Sequence, residues 1–505
     1  MNDLLSSEGS SAMWHPWRDR PGVRHPVARW NGNTGLTIDE QFSFHPASAQ
    51  GLFDTVSRQK LYLYCEDILD QKSVPWTDDL LRFPPEQVVP YVSKSAGIAA
   101  IRLSNKRQSG FLLSAPSWCW HERLSERFLE NVHLLFKLCG YQAVTLASLS
   151  ERLLRSTLPE SLHIHRPSMM LRRDVLNNHR GGRIDLAIPA YYPLVVQFDE
   201  NKAYLHHSRL VPSPYLVPVA RYRPGIDSIF CYPTGFWHVR MLAVDHVAIH
   251  PIQIGGRRPV DGEVFDMWLW REEIEACLEY GYQLLNVEYG YGFRKLTNFL
   301  EPWSDLLWDL WVRAEGDDLH IRRMIKAMMV GLPGRFLRQP EIYKIHPTRE
   351  AQKGDIPLVF HWKDGQFKVF SDWVVRPEYD HESTALSPIG SYIVMKMRME
   401  LYERMRDFER NGHRVISTYI DCIRVCARSV DGISSGIPPL GSHPGSWKAE
   451  ELRNVYVEEN RLIAVRTDKF GWEEDFMKAP GFDRERRILF WQKYRRMQHE
   501  NTRSL

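Results

Sequence analysis

Apolar positions along this chain follow two periods, and the places where the period changes divide it. From Phe53 to Leu69 and again from Gly97 to Leu113 the pattern is strand-like, with turn residues between the two runs. Spacing of three and four then takes over, with Leu124, Phe128, Val132, Leu135 and Leu138 on one face of a predicted helix. A second helix is predicted over Leu146 to Leu158, closed by Pro159. These elements read as an α/β domain over residues 36–165. Residues 1–35 mix Ser, Gly, Pro, Trp and Arg without a period and read as a loose arm.

The most informative stretch follows. Tyr191 to Phe198 is a short apolar run rich in Val, Tyr and Phe, which predicts a buried strand, and it ends in Asp199. An acid at the mouth of a buried strand must meet water, a partner or a cation. Just upstream lies His179-Arg180-Gly181-Gly182-Arg183. Two glycines let a backbone approach closely and the flanking arginines suit a phosphate chain; a plain turn with exposed arginines accounts for the same residues.

Beyond Pro214 the sequence is β-type to about residue 260, then predicts a helix near Val264 to Tyr280. Helical spacing runs from Leu296 to Phe336, broken around Glu315 to Asp318. Its second half carries Arg322, Arg323 and Lys326 within little more than a turn, either as an anion-binding face or as a solvated one. Leu386 to Arg410 predicts a helix with Ile393, Met397, Leu401 and Met405 in register. After the Asn411-Gly412 turn, Val415 to Cys426 is a buried strand pair interrupted by one acid, Asp421.

Length and composition narrow the class. At 505 residues the chain exceeds a single core, and 43% apolar with 25% charged residues is ordinary for a globular protein. A net charge of +3 permits a polyanionic partner without requiring one. Seven cysteines without a C-x-x-C pair fit reduced thiols. No apolar run reaches membrane-spanning length and no signal-peptide order is present, so the expected location is the cytoplasm, with no membrane partner. His163, His165, His206 and His207 lack metal-site company nearby and read as surface residues. Cys422 and Cys426, and the tryptophans between Trp303 and Trp311, read as core.

Two acids on adjacent strands are what paired divalent cations need for nucleotidyl transfer. With a basic helix between them in sequence, the order resembles the polymerase region of family B DNA polymerases, in particular the protein-primed replicases of phages and linear plasmids, over about residues 125–505. The first motif of that family, D-x-N-S-L-Y-P, resembles Asp199 to Leu205 (DENKAYL). The template-tracking Y-x-G-G turn resembles His179 to Gly182. The fingers motif K-x-x-x-N-S-x-Y-G resembles Lys326 to Gly334, with its lysine kept and its Asn and Tyr lost. The third motif, Y-x-D-T-D-S, resembles Tyr419 to Arg424, where the second acid has become Ile423. The G-x-W-x-x-E segment near the primer terminus resembles Gly445 to Glu450.

The resemblance implies a mixed α/β (α+β) fold with palm, fingers and thumb behind a degenerate RNase H-like exonuclease-type domain. The palm would comprise residues 166–214 and 381–454, the fingers 296–336, and the thumb-like region 455–505. Insertions of the protein-primed type would fall at 215–295 and 337–380. It further implies Asp199 and Asp421 as catalytic ligands of Mg2+ or Mn2+. Tyr204, Lys326, Arg313, Arg322 and Arg323 would contact dNTPs, and Arg180, Gly181, Gly182, Arg183, Trp447 and Lys448 a DNA primer-template; a terminal priming protein is a further implied partner. Proofreading is expected to be absent, because no D-x-E occurs before residue 190 and Phe128 to Val132 replaces the family's Y-x-x-x-D. Ile423 opens two other readings: a catalytically inactive, polymerase-shaped protein that binds nucleic acid or a replication partner, and a template-independent transferase.

Overall fold

The computed structural model describes residues 27–30, 35–38, 44–47, 61–65, 88–93, 97–104, 109–114, 126–143, 145–159, 164–184, 188, 190–244, 249–314, 319–337, 341–352, 356–361, 367–379, 386–426, 433, 437–459, 462–466 and 476–478. The fold is mixed α/β, and the chain gathers into two compact units, residues 164–301 with 386–505 and residues 13–163 with 302–385.

The second of these units opens with a seven-stranded sheet, β1 (Val27–Trp30), β2 (Gly35–Ile38), β3 (Phe44–Ala47), β4 (Tyr62–Cys65), β5 (Val88–Ser93), β6 (Gly97–Ser104) and β7 (Ser109–Ser114), in the order 3-2-1-4-7-6-5. Strands β1 to β3 form an antiparallel meander, and β1, β4 and β7 run parallel. That is the RNase H-like arrangement expected of this region. Much of the predicted run from Phe53 to Leu69 lies outside the described residues. Strands β6 and β7, from the second predicted run, form an antiparallel pair.

Helix α1 (Glu126–Cys139) lays Phe128, Val132, Leu135 and Phe136, all fully buried, against this sheet, with Phe128 edge-on to Tyr64 at 5.4 Å. Leu138, expected on the same face, is 42% exposed, because the apolar stripe drifts around the last turn. Helix α2 (Leu146–Thr157) is capped by the Thr145 hydroxyl, which accepts from the Ser148 N–H.

The first unit contains α3 (Met169–Asn178), β8 (Ala190–Glu200), α4 (Ala203–His207), β9 (Val211–Pro212), β10 (Val219–Tyr222), β11 (Thr234–Leu242), β12 (Val264–Trp270), α5 (Arg271–Tyr280), β13 (Gln283–Phe293) and β14 (Leu296–Thr297). Residues 264–270, expected to be helical, form a strand instead. Their alternating side chains pair antiparallel with β11, and the helix starts only at Arg271, where the Glu273 carboxylate accepts from the Trp270 N–H.

Helices α6 (Glu301–Arg313) and α7 (Leu319–Phe336) follow, the latter packed with α1 and α2, and Trp303 is fully buried with its indole N–H donating to Ser150. A small sheet of β15 (Glu341–Pro347), β16 (Ile356–His361) and β17 (Phe367–Tyr379) completes that unit.

The chain then supplies α8 (Ser387–Arg410), β18 (Arg414–Tyr419), β19 (Cys422–Cys426), β20 (Trp447–Glu459), β21 (Leu462–Arg466) and β22 (Phe476–Lys478) to the first unit. Its six-stranded sheet runs 18-19-8-20-21-22, which places β8 centrally between β19 and β20. Among the described residues no helix is long and apolar enough to cross a membrane.

Candidate nucleotidyl-transfer site

The central sheet has two different faces where β8 ends. Asp199 stands opposite Cys422 on one side and Lys448 on the other. Because directly paired residues share a face, these form one row, with Arg424, Gln197 and Glu450 as the row behind it. The alternate row holds Ile423, Phe198 and Ala449, and Phe198 packs on Phe408 of α8 with ring centroids 5.0 Å apart.

Asp199 is half-buried and orientated from below. Gln197 Nε2 donates to its Oδ2 at 2.7 Å, while Arg424 Nε donates to Gln197 Oε1 at 2.9 Å. Both Gln197 and Arg424 are buried, so this relay fixes the carboxylate before any ligand arrives.

Asp421 lies in the tight turn joining β18 to β19. Its carbonyl accepts from the Glu200 N–H at 2.8 Å, which carries the β8–β19 ladder past Asp199. The turn closes by Asp421 N–H to Tyr419 C=O at 2.7 Å around Ile420, whose φ is +60°. A β-branched residue in that region is strained and persists only where its surroundings hold it. The holder is the Gly-Gly turn: Ile420 N–H donates to Arg183 C=O at 2.7 Å, and a Cβ at Gly182 would lie 2.9 Å from Ile420 Cγ2. Glycine at 182 thus lets the two loops touch.

The Gly-Gly turn is braced in its turn by buried charge. Arg398 of α8 donates to the Arg180 and Gly181 carbonyls, and both Arg398 and Arg180 pair with Glu273. Burial alone would raise the Glu273 carboxyl, but the two guanidiniums hold it below the usual range. His179 is pushed down to about 4 by burial and by Arg398 and Arg180. A cavity of about 500 Å³ opens against this turn, with Arg180, Gly181, Gly182, Gln253 and Trp268 in its wall.

Arg183 departs from the expected DNA-facing set. It is 3% exposed, donates to the His250 and Pro251 carbonyls and lies over the Tyr402 ring. Trp447 departs too, being 1% exposed within β20, whereas its neighbour Lys448 is exposed beside Asp199. Tyr204 on α4 is half-buried, and burial together with the Asp421 carboxylate raises its hydroxyl above the ordinary value. Lys326, Arg323 and Arg313 belong to the other unit, where all are exposed. Arg322 there stacks over Trp311 at 4.6 Å, which gives its cation an aromatic partner.

Ile423 is fully buried across from Phe198, on the face that carries Phe408 of α8. A carboxylate at 423 would sit on the opposite face from Asp199, and a one-residue register shift would be needed to bring it round.

Sequence reasoning also missed a group. His207 is 3% exposed, and its Nε2 lies 3.1 Å from Glu200, the last residue of β8. His206 joins them, so the pair has the company that the sequence reading denied it. Burial pushes the Glu200 carboxyl up to about 8 and holds His207 at about 4. The missed signal was an acid at the strand end with two histidines closing the next short helix.

No protein-family model and no curated protein sequence matches the chain. Among solved structures, Phi29 DNA polymerase in complex with primer-template DNA matches with a TM-score of 0.69 at 15% identity, covering 92% of this chain and 94% of that one. The same polymerase with primer-template DNA and incoming nucleotides matches with a TM-score of 0.69 at 14% identity, and with single-stranded DNA at 0.65 and 15%. The fold is similar to that of Phi29 DNA polymerase. At this identity the likeness shows the fold and leaves the chemistry to the site.

The two carboxylates are hard oxygen donors, one at the end of β8 and one in the adjoining β18–β19 turn, half-buried rather than sealed in the core. That donor set fits Mg2+ or Mn2+, which bind through one or two carboxylates with substrate phosphates completing the shell.

Proposed function

We propose that this protein is a DNA-directed nucleotidyltransferase of the polymerase type, acting on a primer-template with dNTPs and lacking 3′–5′ proofreading. The observation that supports the reading is Asp199 at the end of β8 next to the turn that carries Asp421, joined through the Glu200 N–H to the Asp421 carbonyl, with Tyr204 beside Asp421, inside a fold similar to Phi29 DNA polymerase. Asp199, orientated by Gln197 and Arg424, and Asp421, presented by the strained turn at Ile420, are the residues that would hold Mg2+. When bound, the metal supplies a charge clamp for the developing phosphoryl charge. Tyr204 packs under the incoming sugar, and Lys448, exposed beside Asp199, is a backbone-phosphate contact. Lys326, exposed on α7, is a cation suited to a phosphate group. The Gly-Gly turn and its cavity suit a strand whose backbone passes close to Gly181.

The absence of proofreading rests on Phe128 and Val132, which are core residues of α1 rather than a metal-facing pair. One observation favours a second reading, a nucleic-acid-binding protein without catalysis: Ile423, which the motif resemblance matches to the family's second acid, is buried and turned from Asp199.

Primer extension with purified protein, Mg2+ or Mn2+ and all four dNTPs separates the two. Template-dependent extension, lost in Asp199→Asn and in Asp421→Asn, supports the enzyme. A silent wild type that still shifts primer-template DNA in a gel overturns it in favour of binding. Extension in a no-template lane replaces the polymerase with a terminal transferase.

A further inference from the structure

Behind the Asp199 row lies a group that nucleotidyl transfer does not use. Glu200 Oε, a ring nitrogen of His206 and a ring nitrogen of His207 all lie within 4.8 Å of one another. A tetrahedral zinc site, with bonds of about 2.0–2.2 Å, sets its ligand atoms about 3.3 Å apart, so the cluster needs only small side-chain rotations to close on an ion.

A Glu–His hydrogen bond alone would be an ordinary buried pair. Two observations go beyond it. Both Glu200 oxygens lie 3.1 Å from His207 Nε2, yet only one makes a hydrogen bond. The other, Oε1, is buried without a hydrogen-bond partner, on a side chain that is 2% exposed. An acceptor left in that state is costly, and a cation satisfies it. Second, the exposed third member, His206, is held in place by the backbone. A Cβ at Gly445 would lie 2.3 Å from His206 Nδ1, and Gly445, at φ +82°, donates its N–H to the Asn201 carbonyl at 2.8 Å. The imidazole therefore stands against a glycine backbone, with solvent on its open side as an entry route.

We propose that Glu200, His206 and His207 form a binding site for one divalent transition-metal ion of the zinc class, separate from the Asp199–Asp421 pair. Two imidazoles and a carboxylate suit zinc, with water in the fourth position, and do not suit magnesium, which takes oxygen ligands. Lys396, Glu400 and Arg404 of α8 face the cluster, and Glu400 is already paired with Arg404. The ion would tie the end of β8 to the end of α4. Asp199 directly precedes that segment and Tyr204 lies within it, so the tie would position both.

The test is zinc binding to the full chain without DNA or nucleotides, by metal analysis after dialysis and by thermal unfolding with and without Zn2+. Wild type is expected to retain one zinc per chain and to melt higher when loaded. His206→Ala, at an exposed position that leaves the core intact, is expected to bind at least 10-fold more weakly and to lose the thermal shift. Asp199→Asn is expected to bind zinc as wild type does. Wild type without stoichiometric zinc, equal binding by His206→Ala, or loss of zinc in Asp199→Asn would each overturn the proposal. None of these outcomes depends on whether the protein extends a primer.

Discussion

Under the proposed reading, two regions of this molecule stand for the places where a polymerase with proofreading carries metal-binding acids, and they differ in kind. On α1, the positions expected to hold a hydroxyl and a carboxylate are Phe128 and Val132, both fully buried against the seven-stranded sheet. On the six-stranded sheet, Asp199 at the end of β8 and Asp421 in the β18–β19 turn are half-buried, and Asp199 is held by a buried Gln–Arg relay. The first region shows apolar packing, and the second shows acids supported by packing. Ile423 belongs with the first kind although it lies within the second.

The sharpest way to break that contrast is to put acids back into the packed positions. Val132→Asp is expected to cost about 4 kcal/mol in urea unfolding, since it buries an unpaired carboxylate, and to yield no exonuclease activity. Ile423→Asp is expected to cost about 3 kcal/mol by the same measurement without raising the extension rate. A rise in extension with Ile423→Asp would show that position 423 reaches the site.

Next in size is Gly182→Ala, whose Cβ would press on Ile420 at 2.9 Å. A cost of about 1–2 kcal/mol is expected, with a fall in extension rate because the Asp421 turn must move. An unchanged rate would show that the Gly-Gly turn does not hold Asp421 in place. The smallest effect concerns pH. Folded His179 stays neutral down to about 4, whereas the unfolded chain takes up that proton near the ordinary histidine value of about 6.5. Stability from this group is therefore full above about 6.5 and is lost as pH falls towards 4. His179→Gln is expected to flatten that slope in thermal melts between those limits.

Much of this was legible in the sequence, and the failures have physical causes. The strand that leads to Asp199 was readable because a buried apolar run ending in an acid is a local pattern. Burial of a basic or aromatic residue is not local. Arg183 met the carbonyls of His250 and Pro251, which lie 67 and 68 residues away, and Trp447 is buried where β20 starts beside β8. Residues 264–270 misled because a strand running directly into a helix carries apolar residues that fit both periods. His207 was taken for a surface residue because its burial beside Glu200 depends on how α4 folds back on β8 and against α8. The register that turns Ile423 away from Asp199 is likewise set by strand pairing, which no motif spacing reveals.

The most direct test of the central claim is the single-turnover rate of one dNTP addition to a primer-template with Mg2+, wild type against Asp421→Asn. The account predicts a rate at least about 100-fold lower in the variant, with unchanged affinity for DNA. Equal rates in the two proteins, or no addition by wild type while DNA still binds, would contradict it.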